Sequence, residues 1–98
     1  MQTYILFTKL SQEVLQQMKN RKQIGHNWME KVKEKCPEVK FLSHYALLGD
    51  YDFLDIYEAP DDEMAAKVSI ISQQYGALEA KSMPAIPYRR FIELTETL

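Results

Sequence analysis

Apolar and β-branched residues fill Thr3 to Thr8 (Thr-Tyr-Ile-Leu-Phe-Thr), which is the composition of a strand. Ser11 can cap a following helix, with Glu13 placing negative charge in its first turn and Val14, Leu15 and Met18 giving it an apolar stripe. The polar stretch from Lys19 to Gln23 predicts a kink or a short loop. Beyond it Ile24, Trp28, Val32 and Cys36 recur at four-residue intervals, the spacing of one helical face. Pro37 ends that helix, because the residue before a proline avoids helical geometry.

Two strand-like runs, Val39–Leu48 and Tyr51–Glu58, flank the turn pair Gly49-Asp50 and predict a hairpin. Pro60 with Asp61, Asp62 and Glu63 opens a second helix, since proline suits a helix start and acids suit the positive end of its dipole. Met64, Val68, Ile71 and Tyr75 form its buried face, and Gly76 stops it. A fourth strand follows over Leu78–Met83. Pro84 and Pro87 end regular pairing, so the tail from about residue 85 is expected to be irregular, an edge segment or a final short helix. The order strand, helix, strand, strand, helix, strand predicts a ferredoxin-like α+β fold of βαββαβ type. Its antiparallel sheet has four strands, with two helices on one face, and residues 1–98 form a single domain.

A two-residue turn at Gly49-Asp50 sets the hairpin register. Ala46 then faces Phe53, His44 faces Asp55 and Leu42 faces Tyr57, all on one side of the sheet. The other side carries Phe41, Tyr45, Leu47, Leu54 and Ile56. Both sides hold large apolar residues, whereas a half-solvated sheet alternates apolar with polar. Helices cover one side, so a second sheet is expected to cover the other, in a homodimer stacked sheet on sheet as a dimeric α/β barrel. The tyrosine-rich side, with Tyr51, Phe53 and Tyr57, is expected to face the partner, and Leu54, Ile56, Leu47 and Phe41 the helices.

Composition narrows the function classes. The chain has 46% hydrophobic and 27% charged residues, a globular balance. The net charge of −2 supplies no basic field for nucleic acid, and Lys31, Lys33, Lys35 and Lys40 are interleaved with Glu30, Glu34 and Glu38. No apolar run is long enough to span a membrane, and no secretory segment follows Met1, so a cytoplasmic location is expected. The single Cys36 cannot form an internal disulfide and reads as a buried, idle thiol.

The sharpest candidate for chemistry is His44 opposite Asp55. A carboxylate facing an imidazole fixes its tautomer and raises its basicity, as a general base requires. The plain alternative is a cross-strand polar pair that satisfies itself. Tyr51, Phe53, Tyr57 and His44 are the candidate ligand-binding residues. His26 lies off the apolar stripe, and the two histidines stand far apart with no ligand at metal-binding spacing, so neither a metal nor a cofactor is expected. The three glycines do not cluster into a phosphate-cradling loop. Arg89 and Arg90 could meet an acidic ligand, and surface solvation is the plainer reading.

The stretch Leu48-Gly49-Asp50-Tyr51-Asp52, with Glu58-Ala59-Pro60-Asp61-Asp62-Glu63 and the opening Tyr4–Leu10, resembles the GYD-domain family over about residues 1 to 87. The resemblance implies a ferredoxin-like, dimeric α/β barrel and no defined activity. Positions like His44 and Asp55 are usually apolar in that family, which makes the pair particular to this chain. The Gly-Asp-Tyr-Asp hairpin also resembles the ligand-sensing domain of Lrp/AsnC-type regulators, which binds amino acids between subunits. The chain lacks their helix-turn-helix part, so DNA binding does not carry over. Cofactor-free monooxygenases and isomerases share the same barrel by fold-level analogy. Three readings follow: a homodimer, or a higher homo-oligomer, that binds a small molecule; a cofactor-free isomerase or monooxygenase with His44 as base and Asp55 as orienter; or a structural or interaction module whose dimer face is packed shut.

Overall fold

A computed structural model describes residues 1–98. Strand β1 (Gln2–Leu10) leads into a short helix α1 (Gln12–Leu15), a 3-10 turn over Met18–Asn20, and the long helix α2 (Arg21–Lys35). Strands β2 (Lys40–Ala46) and β3 (Phe53–Ala59) form the hairpin, followed by helix α3 (Asp62–Gln74), strand β4 (Ala77–Ala85) and helix α4 (Tyr88–Thr95). The sheet order is β2-β3-β1-β4 with every neighbouring pair antiparallel, which is the ferredoxin-like arrangement.

Local chemistry accounts for the boundaries. Ser11 Oγ accepts from the Val14 amide at 3.3 Å, and Asp61 Oδ1 accepts from the Met64 amide at 2.9 Å, each satisfying an orphan donor of a first turn. Asp62 and Glu63 then stand at the positive end of α3. The polar stretch after Met18 does break the first helical segment, through the 3-10 turn. Helix α3 stops at Tyr75, where Gly76 takes a φ of 103° that a side chain rarely adopts. The Gly76 carbonyl accepts from the Ser11 amide at 2.9 Å, tying the start of α1 to the end of α3.

The core lies between the helices and one sheet face. Tyr4 and Leu6 of β1, Tyr57 and Ala59 of β3, Val32 and Cys36 from the C-terminal end of α2, and Ala65, Val68 and Ile71 of α3 pack together there. An aromatic ladder crosses the sheet beneath α2. The rings of Tyr4 and Tyr57 are 5.5 Å apart, those of Tyr57 and Phe41 5.5 Å, and Phe41 meets Trp28 edge-on at 5.2 Å.

The two sheet faces are therefore exchanged relative to the expectation from the hairpin register. Phe53, Asp55 and Tyr57 lie under the helices, while Ile5, Phe7, Leu54 and Ile56, half-buried, lie on the uncovered side with Tyr45 and Met83. The helices settle on the side of the hairpin opposite to the one expected, and two local events move single residues between the faces. The register expected from the turn holds from Ala46–Phe53 through Ser43–Ile56, but Leu42 then bulges out, so Phe41 rather than Leu42 stands opposite Tyr57. The bulge moves Phe41 onto the helix side. At the other end, Asp52 Oδ2 accepts from the Leu10 amide at 2.7 Å and the Asp52 amide donates to Thr8 O at 2.8 Å. These bonds turn the chain before β3, and Tyr51 lies on the uncovered side, its ring 5.2 Å from Phe7.

Two further points concern the C-terminal part. Strand β4 runs through Pro84, which pairs with Tyr4; as an edge strand it has an outer side where a missing amide costs nothing. Of the alternatives expected for the tail, the final short helix is the one that forms, because Pro87 precedes a helical turn and Tyr88, Phe91 and Ile92 repeat at helical spacing. All of α4 is exposed, and those apolar residues find no cover within the chain.

Candidate functional site

Strands β2 and β3 bring His44 and Asp55 directly opposite each other. The pairing places Nδ1 of His44 2.5 Å from Oδ1 of Asp55. Asp55 faces the helices and is 2% exposed, whereas the His44 side chain sits on the edge strand and is 51% exposed. A buried carboxylate is thus satisfied by an imidazole that keeps its other nitrogen towards solvent. The hydrogen bond to Asp55 lifts the His44 pKa above its ordinary value; burial opposes this, the Asp55 charge adds to it and Arg21 subtracts.

Phe53 binds the cluster together. The imidazole of His44 stacks on its ring at 5.4 Å and 20°, and the guanidinium of Arg21 lies 4.5 Å from its centroid. Arg21, the first residue of α2, enters none of the ion pairs or side-chain hydrogen bonds of the structure. Behind these residues is a small cavity of about 20 Å³, lined among others by Arg21, Trp28, His44, Phe53, Asp55 and Ser72. Such a space holds roughly one water-sized group. Its floor is rigid, since Trp28 Nε1 donates to Ser72 Oγ at 2.9 Å and Ser72 Oγ donates to Val68 O at 2.9 Å.

The residues singled out from the sequence are divided by the fold. His44, Asp55 and Phe53 meet at this cavity, on the helix side rather than on the uncovered face. Tyr57 shares that side but is wholly buried in the core, its hydroxyl 2.6 Å from Ser82 Oγ, and burial pushes its pKa up to about 12. Tyr51 lies across the sheet, where its hydroxyl accepts from Lys81 Nζ at 3.0 Å and raises the pKa of that lysine. His26 is exposed near Glu30, and Arg90 pairs with Glu93 at 3.0 Å on the exposed α4. Cys36 is buried, and its thiol pKa is raised by that burial, which keeps it protonated and inert.

Arg21 is the site residue that the sequence pattern does not single out. It belongs to the polar stretch expected to kink, and its position over Phe53 depends on how α2 crosses the hairpin. One signal was available: Ile24 and Gly25 occupy the positions three and four residues on, so no acid on its own helix can neutralise it.

The order and pairing of the strands, with helices on one face and a polar cluster at the edge of the core, define a ferredoxin-like α+β domain. Its particular family follows from sequence. The GYD domain family model matches residues 4–95, and the chain belongs to that family. Among curated proteins none matches it. Two crystal structures share the fold. MtbAldR is 15% identical, with a TM-score of 0.59 over 88% of this chain and 53% of its own, so this chain spans about half of it. FFRP-DM1 is 20% identical, with a TM-score of 0.55 over 88% of this chain and 100% of its own.

Proposed function

We propose that this GYD-domain protein is a homodimeric binding module that receives a small molecule at the His44–Asp55 pair. The observation that carries the reading is a buried carboxylate held by a half-exposed imidazole at the lip of a cavity, on a rigid aromatic and hydrogen-bonded floor. The likeness of the hairpin to a ligand-sensing domain and the fold shared with MtbAldR and FFRP-DM1 support it at the level of architecture. The homodimer would close over the uncovered sheet face, where Ile5, Phe7, Leu54 and Ile56 form an apolar centre rimmed by Lys40, Glu58, Glu79 and Lys81.

A second reading, a cofactor-free isomerase or monooxygenase, is favoured by one feature. Asp55 holds Nδ1 of His44 and so leaves Nε2 free to take a proton. The raised His44 pKa suits a base as well as a binding group, so it does not separate the two readings.

Native mass spectrometry of the protein purified gently from its own host tests both halves. A dimer with a reproducible extra mass is the expected result, and His44→Leu should stay folded and dimeric while losing that mass. A monomer would overturn the dimer. A dimer that stays bare would overturn the binding half. Conversion of the co-purified compound on incubation, abolished in His44→Leu, would transfer the site to the enzyme reading.

A further inference from the structure

We propose that Arg21 and His44 form a receptor for a small oxyanion, a carboxylate or phosphate head of the ligand, at the mouth of the cavity between α2 and the β2–β3 hairpin. The inference rests on the small-molecule reading above and names the chemistry of the group bound there.

Arg21 is the reason. Its guanidinium has no carboxylate, carbonyl or hydroxyl partner in the chain, so its solvent-reached donors are free for a ligand while its face rests on Phe53. Arginine presents a planar fork of donors that matches a carboxylate or phosphate edge. The fork is also held in place. Its guanidinium packs along its own helix over Gly25, where an added Cβ would stand 3.7 Å from Nη2, and its other side is fixed by Phe53.

His44 lines the same cavity and stacks on the same Phe53 ring. Asp55 occupies Nδ1, so Nε2 is the nitrogen left for a ligand. Arg21 brings the positive charge at the mouth, and the acid beside it, Asp55, is committed to His44 Nδ1. The next acid, Asp52, is turned to β1 and gives a carboxylate oxygen to the Leu10 amide. A cavity of about 20 Å³ has room for roughly one oxygen of that head and leaves the rest of the molecule at the mouth and outside.

The test is an NMR titration of the full chain with sodium acetate and, separately, sodium phosphate. Sodium chloride at matched ionic strength is the control, and the signals followed are the Arg21 Nε–H and the Phe53 backbone amide. Wild-type protein should show saturable shifts with at least one oxyanion that chloride does not reproduce. Arg21→Gln should weaken binding tenfold or more with an otherwise unchanged amide spectrum, and Arg21→Lys should fall between. Stronger binding of acetate assigns a carboxylate head, and stronger binding of phosphate a phosphoryl head. Shifts that match chloride, or an Arg21→Gln variant that titrates like wild type, would overturn the proposal. If the purified dimer still carries a small molecule in that case, the oxyanion assignment fails and the binding function stands. Oxyanion binding by a dimer with no co-purified mass would do the reverse: the oxyanion receptor stands, and the ligand-carrying dimer fails.

Discussion

His44 and Asp55 form the one pair in the site whose meeting was legible from the sequence, because a turn at Gly49-Asp50 fixes which residues stand opposite across the hairpin. The same rule failed for Leu42 and Tyr57 just beyond it, where a bulge on the edge strand adds a residue. The pair has a pH signature. Its folded-state His44 pKa is raised above the ordinary value of about 6.5, so its stabilisation is fully present below that value and is lost as pH rises through the raised one. Urea unfolding on both sides of that window should show stability falling with rising pH, and His44→Gln should remove that part of the slope; an unchanged slope would exclude the pair as its source. Tyr57 makes the opposite kind of prediction. Its hydroxyl bonds Ser82 Oγ and, at 3.5 Å, donates to Ala65 O; Ser82 also bonds Ser69 Oγ at 2.8 Å, so Tyr57→Phe removes both bonds without stranding Ser82. The expected cost is about 1 kcal/mol of stability in urea melts, with no effect on the mass carried by the dimer.

At the scale of elements, strands and helices came out of periodicity and caps, and the departures from expectation share a cause. Periodicity tells that a strand has two faces but not which one the helices cover; that depends on where α2 and α3 settle. The four-residue rhythm of Ile24, Trp28, Val32 and Cys36 did find the inner face of α2, and the tail helix was equally readable in Tyr88, Phe91 and Ile92. Two glycines make a contrast that tests the packing of these elements. A Cβ on Gly76 would stand 2.3 Å from Cγ2 of Val14, at a φ of 103°. Gly76→Ala should therefore cost on the order of 1–3 kcal/mol, and in a double-mutant cycle with Val14→Ala part of that cost should be relieved, leaving the backbone share. Gly25 sits mid-helix, where a Cβ meets only the Arg21 guanidinium at ordinary contact distance, 3.7 Å at its nearest. Gly25→Ala should raise stability by up to about 1 kcal/mol in the same assay. A loss instead would show that Arg21 needs that room.

On the scale of the whole molecule, the uncovered face of the sheet is where the proposed homodimer would form. The helices cover the side with Tyr4, Leu6 and Tyr57, and leave Ile5 paired with Ile56, Phe7 with Leu54, and Met83 beside Ile5 facing water. An apolar face of that kind, ringed by Lys40, Glu58, Glu79 and Lys81, has the apolar centre and charged rim of an interaction surface. In the proposed homodimer a second copy related by a twofold axis would cover it without a new surface, since the same residues would serve both sides. Sedimentation velocity should accordingly return twice the 11.5 kDa chain mass. Ile56→Glu should return the single-chain mass with an unchanged far-UV spectrum, because Ile56 is half-exposed in one copy and a carboxylate there remains solvated. A wild-type monomer, or an Ile56→Glu dimer as tight as wild type, would move the interface away from the sheet. The exposed apolar side of α4, with Tyr88, Phe91 and Ile92, would then be the surface left to form it.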